Sequence, residues 1–234
     1  MKRRAVVLLS GGLDSTTLVY QLLYEDFDII ALNVDYGQRH VREIESAQEI
    51  AAAAQVPLVQ VQLARALTPI FAGCQSSQVG LQDVPEGHYA AETMRITLVP
   101  NRNMLLLSLA GALAESREAS LIAYAAHAGD HSVYADCRPS FYKSCDETIQ
   151  QATEGRVRLY APFGKITKAD IVKRGSLLHV PLGLTWSCYK GGTQHCGRCS
   201  TCVERAEAFS LAGVPDPTSY EDSTYWKTVV HANP

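Results

Sequence analysis

The sequence predicts an α/β protein, a parallel five-stranded doubly wound sheet followed by a small C-terminal knuckle of cysteines. Three observations predict it. Short apolar runs rich in Val, Ile and Leu alternate with amphipathic stretches up to about residue 180. The first run empties into Ser10-Gly11-Gly12-Leu13-Asp14-Ser15. Four of the seven cysteines crowd between positions 188 and 202. Strands that alternate with helices pair in parallel through right-handed crossovers, which place helices on both faces of the sheet.

Taken in order, strands are expected over 5–9, 29–34, 58–63, 121–126 and 157–161. A helix over 14–24 starts on Asp14 as its cap and carries Leu18, Leu22 and Leu23 on one side. Further helices are expected over 41–54, dense in Ala and Glu, over 103–116, where Leu and Ala repeat, and over 140–153 and 168–178. The segment 68–98 breaks the rhythm: it is polar, holds Gly73, Gly80 and Gly87, and shows no sustained period. An insert of that length is either a functional loop or a plain surface excursion. After Leu178 the alternation stops. The chain thus divides into a nucleotide-binding α/β domain over 1–180 and a four-cysteine segment over 181–234.

Composition narrows the class. With 234 residues, one large domain with an appendage is the natural organisation. Hydrophobic residues at 47% and charged residues at 19% exclude a disordered or collagen-like chain. Lys+Arg 21 against Asp+Glu 24 leaves a net charge of −3, which argues against a dedicated nucleic-acid binder. Lys2-Arg3-Arg4 before the run 5–9 imitates a signal peptide. That run is shorter than the ~7–15 apolar residues of a signal core and ends in a glycine turn. No run approaches the ~18 residues of a membrane helix. Crowded cysteines favour a metal site over disulfides and a reducing cytoplasm as the location.

The hexapeptide at 10–15 has a physical reading. Two glycines let the backbone turn sharply and approach a ligand. The unpaired N–H groups that open the following helix then face an anion. Ser10, Ser15 and Thr16 add hydroxyl donors, while Asp14 caps the helix or holds Mg²⁺. A P-loop is excluded: Gly164-Lys165 is followed by Ile166, and Leu159 stands where the first glycine belongs. No G-x-G-x-x-G follows the first strand either. The unit resembles the PP-loop of the N-type ATP pyrophosphatases, adenine nucleotide alpha hydrolase-like proteins that split ATP between its α- and β-phosphates. The resemblance implies that Leu9, Ser10, Gly11, Gly12, Leu13, Asp14, Ser15, Thr16, Thr17, Leu18 and Val19 hold ATP, with Ser10, Asp14 and Ser15 serving adenylation.

Cys188, Cys196, Cys199 and Cys202 follow the pattern C-x7-C-x2-C-x2-C. Paired C-x2-C spacings bring sulfurs onto one ion, and four thiolates make a closed tetrahedral zinc site. An iron–sulfur cluster is the rival, although the common C-x3-C-P continuation is missing. His195 is a neighbour of the complete sulfur set. Cys74, Cys137 and Cys145 read as small, partly buried side chains.

Four further segments narrow the resemblance: Asp35-Tyr36-Gly37-Gln38-Arg39-His40, Val99-Pro100-Asn101-Arg102-Asn103, the stretch 127–139 from His127 to Pro139, and Trp186-Ser187-Cys188-Tyr189. With the loop and the cysteines, the chain resembles the 7-cyano-7-deazaguanine synthase family to about Phe209. Ala135 departs from the pattern, which has a proline there. The resemblance implies an ATP-dependent ligase, acting in queuosine biosynthesis, that turns 7-carboxy-7-deazaguanine and ammonia into the 7-nitrile. It also implies one structural zinc ion per chain, Mg²⁺ with the ATP, and a homodimer with no nucleic-acid or membrane partner. Substrate candidates are Asp35, Tyr36, Arg102, Asp130, Asp136, Arg138, Lys165 and Trp186. Asp130 and Asp136 would accept from the guanine-like N–H edge, Arg102, Arg138 or Lys165 would neutralise carboxylate or phosphate, and Trp186 would stack on the ring. Two other readings stay open: a PP-loop tRNA-modifying enzyme of thiolase or lysidine-ligase type, and a non-catalytic nucleotide sensor.

Overall fold

The computed structural model describes residues 3–38, 41–71, 84–89, 98–132 and 134–231. The chain begins with β1 (Arg4–Leu8), α1 (Leu13–Tyr24), β2 (Asp28–Asp35), α2 (Val41–Ala53), β3 (Leu58–Gln62) and a single turn α3 (Ala64–Leu67). It continues through α4 (Arg102–Ser116), β4 (Leu121–Ala123), α5 (Pro139–Ala152), β5 (Arg158–Tyr160) and α6 (Lys168–Leu177), and ends with α7 (Ser200–Ala212) and α8 (Tyr225–His231). All five strands are parallel, in the order β3-β2-β1-β4-β5.

Alternation along β1 explains why it sits at the centre. Ala5, Val7 and Leu9 face one hydrophobic cluster with α1, α2, α6 and Phe209 of α7, while Val6 and Leu8 face another with Leu107, Ala110 and Ala114 of α4. Successive side chains of a strand point to opposite faces, so a strand covered on both sides must be apolar at every position. The register sets Ala5 beside Ile29 on one flank and Leu121 on the other. Strand order therefore reverses between β1 and β4. Open α/β sheets bind ligands at this reversal, beyond the carboxyl ends of the strands.

The structure corrects several expectations. α1 starts at Leu13, and Gly12, not Asp14, is its cap; Asp14 lies in the first turn. β4 stops at Ala123, short of residue 126. The Tyr124 N–H still donates to the Tyr160 carbonyl (2.9 Å), but the Tyr124 hydroxyl donates to the Asp136 carbonyl (2.9 Å) and draws the chain out of the ladder. β5 likewise spans only three residues. Regular structure resumes after residue 178, where none is expected, as α7 and α8. α7 ends at Gly213, whose φ of 67° supplies the left-handed residue that stops a helix. Residues 72–83 and 90–97 of the irregular insert lie outside the described residues, as do Cys74, Arg39, His40 and Val133.

Candidate active site

At the β1–β4 reversal lies a cavity of ≈ 270 Å³, walled by the loop after β1, the segments after β2 and β4, the starts of α2, α4, α6 and α7, and residues 186–189. The loop is locked from within. Ser10 and Ser15 hydroxyls stand 3.0 Å apart, and the Ser10 and Gly12 N–H groups donate to the Ser15 and Ser10 hydroxyls at 3.2 Å each. Gly11 takes φ 91°, and a β-carbon there would collide with the Glu43 carbonyl. Its role is to let the loop rest on α2. Gly12 faces the cavity and has no side chain to satisfy the N–H groups opening α1, so these are left for an anion.

Beside the loop is a cluster drawn from four elements. Lys168, the first residue of α6, reaches Glu204 Oε2 (2.8 Å) and Asp14 Oδ2 (3.3 Å). A capping box starts α6 here: the Asp170 N–H donates to the Thr167 hydroxyl, and the Thr167 N–H donates back to the Asp170 carboxylate. Burial pulls the Lys168 pKa down, but the Asp14, Glu204 and Asp130 carboxylates outweigh it and hold the ammonium charged. The His127 ring accepts at Nδ1 from the Gly129 N–H (3.1 Å), which leaves its Nε2–H facing Asp130 (3.6 Å), Glu204 (3.7 Å) and Asp14 (4.0 Å). Burial lifts the Asp130 carboxyl above its usual range. Asp14 Oδ1 is buried with no hydrogen-bond partner among the described residues.

The other end of the cavity is aromatic. Tyr36, Tyr134, Tyr189 and Trp186 line it with Arg102 and Glu43. Arg102 donates to the Tyr36 hydroxyl (3.3 Å), and its guanidinium pKa stands well above normal, through Tyr36 foremost. Burial pushes the Glu43 carboxyl up to about 7 despite the opposing charge of Arg102. Trp186 already packs against His195, with ring centres 4.1 Å apart and planes tilted by 41°, and carries the Arg42 guanidinium at 5.4 Å.

The four sulfurs of Cys188, Cys196, Cys199 and Cys202 are buried and lie within 4.8 Å of one another. A tetrahedral ion bound at ~2.3 Å spaces its sulfurs about 3.8 Å apart, close to the 4.0 Å between Cys196 and Cys202. Arg198 and Cys199 N–H groups donate to the Cys196 sulfur (3.4 and 3.3 Å), the kind of bond that steadies a metal-bound thiolate. Gly197 makes this turn at φ 75°, where a β-carbon would collide with the Asp222 carbonyl. The donor set therefore fits a four-coordinate thiophilic metal. His195 is a neighbour, its Nε2 accepting from the Ser187 N–H (3.1 Å).

Comparison with known proteins now decides the family. Residues 4–213 match the family model described as "Queuosine biosynthesis protein QueC". The chain belongs to the QueC family. QueC-family relatives named 7-cyano-7-deazaguanine synthase include those of Rhizobium johnstonii (45% identical over 97% of this chain and 96% of the relative) and Sinorhizobium fredii (46% over 95% and 94%). A third, from Brucella anthropi, is 44% identical over 97% of both chains. Among solved structures, an NMN synthetase from Francisella tularensis shares the fold, with a TM-score of 0.53 at 14% identity, covering 99% of this chain and 86% of that one.

In this QueC-family chain the site residues expected from sequence divide into those at the cavity and those away from it. Leu9, Ser10, Gly12, Leu13, Asp14, Ser15, Tyr36, Arg102, Asp130 and Trp186 line it. Thr16 is fully buried, and its hydroxyl donates to the Gly12 carbonyl (2.7 Å) instead of toward a phosphate. Thr17, Leu18 and Val19 lie beneath the loop, the last two in the core. Asp35 holds a turn by accepting from the Gly37 N–H (3.0 Å). Asp136 accepts from the Asn103 N–H (3.1 Å) and so fixes the start of α4. Arg138 caps α5 and is exposed, and Lys165 is exposed outside the cavity. Lys168, not Lys165, is the lysine that lines the cavity. Glu43, Lys168 and Glu204 were given no role in the sequence, and His127 entered only as the start of the segment 127–139; the T-x-x-D pattern at 167–170 marks Lys168 by announcing a helix start there.

Proposed function

We propose that this chain converts 7-carboxy-7-deazaguanine and ammonia into 7-cyano-7-deazaguanine, using two ATP and releasing AMP and diphosphate. The observation that carries the reading is that one cavity joins an anion-binding loop to an aromatic chamber, in a chain of 44–46% identity to synthases of that name. In the first half-reaction the substrate carboxylate oxygen attacks the α-phosphorus and diphosphate leaves. Ammonia then displaces AMP to give the amide. In the second, the amide oxygen is adenylated, and loss of AMP and protons leaves the nitrile.

The residues fit these tasks. The N–H groups opening α1 and the Lys168 ammonium would hold the departing diphosphate. Asp130 and Glu204, which share His127 as a neighbour, would take protons from ammonia and the amide. Mg²⁺ accompanying ATP neutralises phosphate charge; the unpartnered Asp14 Oδ1, a hard oxygen donor, would hold it. Cys137 also borders the cavity, where burial pushes its thiol up to about 12, away from the thiolate form that the thiolase alternative would use. Zinc would occupy the closed four-sulfur site and organise residues 181–234 as a distinct metal-dependent unit, with no position open for water or substrate. A cytoplasmic homodimer completes the reading; among the described residues no helix is long and apolar enough to cross a membrane.

Incubation with ATP, an ammonium salt and 7-carboxy-7-deazaguanine should give two AMP per nitrile, measured by chromatography. Asp14→Ala should reduce AMP release to background with unchanged circular dichroism. Metal-replete wild type that forms neither AMP nor nitrile would remove this reading.

A further inference from the structure

Glu43 is the unexplained member of the cavity. It stands in the first turn of α2 and lines the aromatic end, close enough to Arg102, Tyr36 and Tyr189 to act electrostatically on all three. Among the described residues no hydrogen bond reaches its carboxyl, and Arg102 donates to the Tyr36 hydroxyl. Glu43 is half-buried and opens onto the cavity, so a ligand that brings N–H groups to its carboxylate there gains charge-assisted hydrogen bonds sheltered from water.

The proposed substrates differ sharply in what they can offer this group. ATP phosphates and the substrate's own carboxylate are negative and are repelled. The adenine edge sets a ring-nitrogen lone pair next to its amino group, so a carboxylate meets one donor and one acceptor. The pyrimidine edge of a deazaguanine instead presents the ring N1–H and the 2-amino group as two parallel donors, the spacing that carboxylates accept from an arginine fork. The 7-carboxylate lies across the bicyclic ring from that edge.

Resting on the functional reading above, we propose that Glu43 is the specificity-determining residue of the site. Its carboxylate takes the N1–H and 2-amino donors of the deazaguanine between the aromatic walls and thereby aims the 7-carboxylate at the loop 10–15. The adenine of ATP is excluded from this end.

The test compares 7-carboxy-7-deazaguanine with its analogue lacking the 2-amino group, at saturating ammonia, for wild type, Glu43→Gln and Glu43→Asp. Wild type should favour the parent by about 100-fold or more in kcat/KM, because the analogue leaves a buried acceptor unpaired. Glu43→Gln should lower kcat/KM on the parent about 100-fold and shrink the preference to within about fivefold, with KM for ATP changed less than about threefold. Glu43→Asp should retain part of the preference. An active wild type with no preference overturns the proposal without recourse to any variant. So does a Glu43→Gln enzyme that keeps the preference or loses affinity for ATP instead. A wild type inactive on the parent removes the functional reading itself, and this proposal with it.

Discussion

The sheet and the C-terminal knuckle of this chain are ordered by different physics. Around β1 and α1, residues such as Val6, Val7, Leu18, Val19, Leu22, Ile50 and Ile171 are fully buried, and stability grows with apolar area, each side chain adding roughly 1.5–3 kcal/mol. Among the described residues, the knuckle's own apolar cluster is small, Val84, Trp186 and its cysteines, while Leu182, Ala208 and Phe209 of the same segment join the core of the sheet. The knuckle's order comes from directed contacts. Arg205, 0% exposed, donates to the Thr218, Thr185 and Ser187 hydroxyls and the Leu182 carbonyl, with Asp216 at 3.5 Å. Glu86 binds Lys190 (2.6 Å) and Arg198 (2.9 Å) across the knuckle. Area-proportional stability fades gradually as groups are trimmed, whereas directed contacts around one ion are lost together.

The largest test of that contrast is removal of the metal. Chelation or Cys199→Ser should lower Tm by more than about 10 °C, since binding free energy at such a site is folding free energy. Elemental analysis should show one zinc per chain beforehand, and calorimetry reads the loss. An unchanged Tm in the metal-free protein would break the comparison.

Arg205→Ala comes next, at about 3–5 kcal/mol, because it strands Asp216, the buried Thr185 hydroxyl and Leu182 carbonyl, and the half-buried Thr218 and Ser187 hydroxyls. Leu18→Ala in the sheet should cost about 2–5 kcal/mol. Denaturation of both variants with and without metal sharpens the contrast: the Leu18 loss should be the same in each state, while the Arg205 loss should change with metal occupancy. Equal metal dependence for both would merge the two regions into one.

The smallest effect is a gain. Glu43 has a folded pKa of about 7 against an ordinary 4.5, so folding favours its protonated form. That stabilisation is fully present below pH 4.5 and is lost as pH rises through 7. Glu43→Gln should therefore raise stability by about 1–2 kcal/mol at pH 8 relative to wild type and change little at pH 4.5, as followed by urea denaturation. Loss of stability at pH 8 would show the carboxylate to be favourably paired in the free protein.

What was legible in the sequence follows from how local each signal is. The strand, the Gly-Gly turn and the helix at 5–24 are contiguous, and the cysteine spacing carries its own geometry, so both could be read directly. Helix α7 was hidden because Arg205 interrupts its apolar stripe; Gly213 at its end was the available sign. The cluster at the loop was legible only at Asp14, which the loop motif carries. Asp14, His127, Lys168 and Glu204 come from four elements, and no period in the sequence relates them. Asp136 misled for the opposite reason: it sits in a run of polar residues suited to a ligand, yet its carboxylate serves the Asn103 backbone.

The cavity has a consequence for the order in which the chain is synthesised. Its loop, at residues 10–15, leaves the ribosome long before the wall that closes over it, and N-terminal regions fold first. Trp186, Tyr189 and Glu204 arrive almost two hundred residues later, and Tyr89 takes its place only when 84–89 can lay Glu86 alongside Cys199. A chain cut short before residue 186 would lack the closing wall, Glu204 and the Trp186 N–H that donates to the Gly11 carbonyl (3.0 Å) and so steadies the loop. Incomplete translation products thus emerge unable to spend ATP.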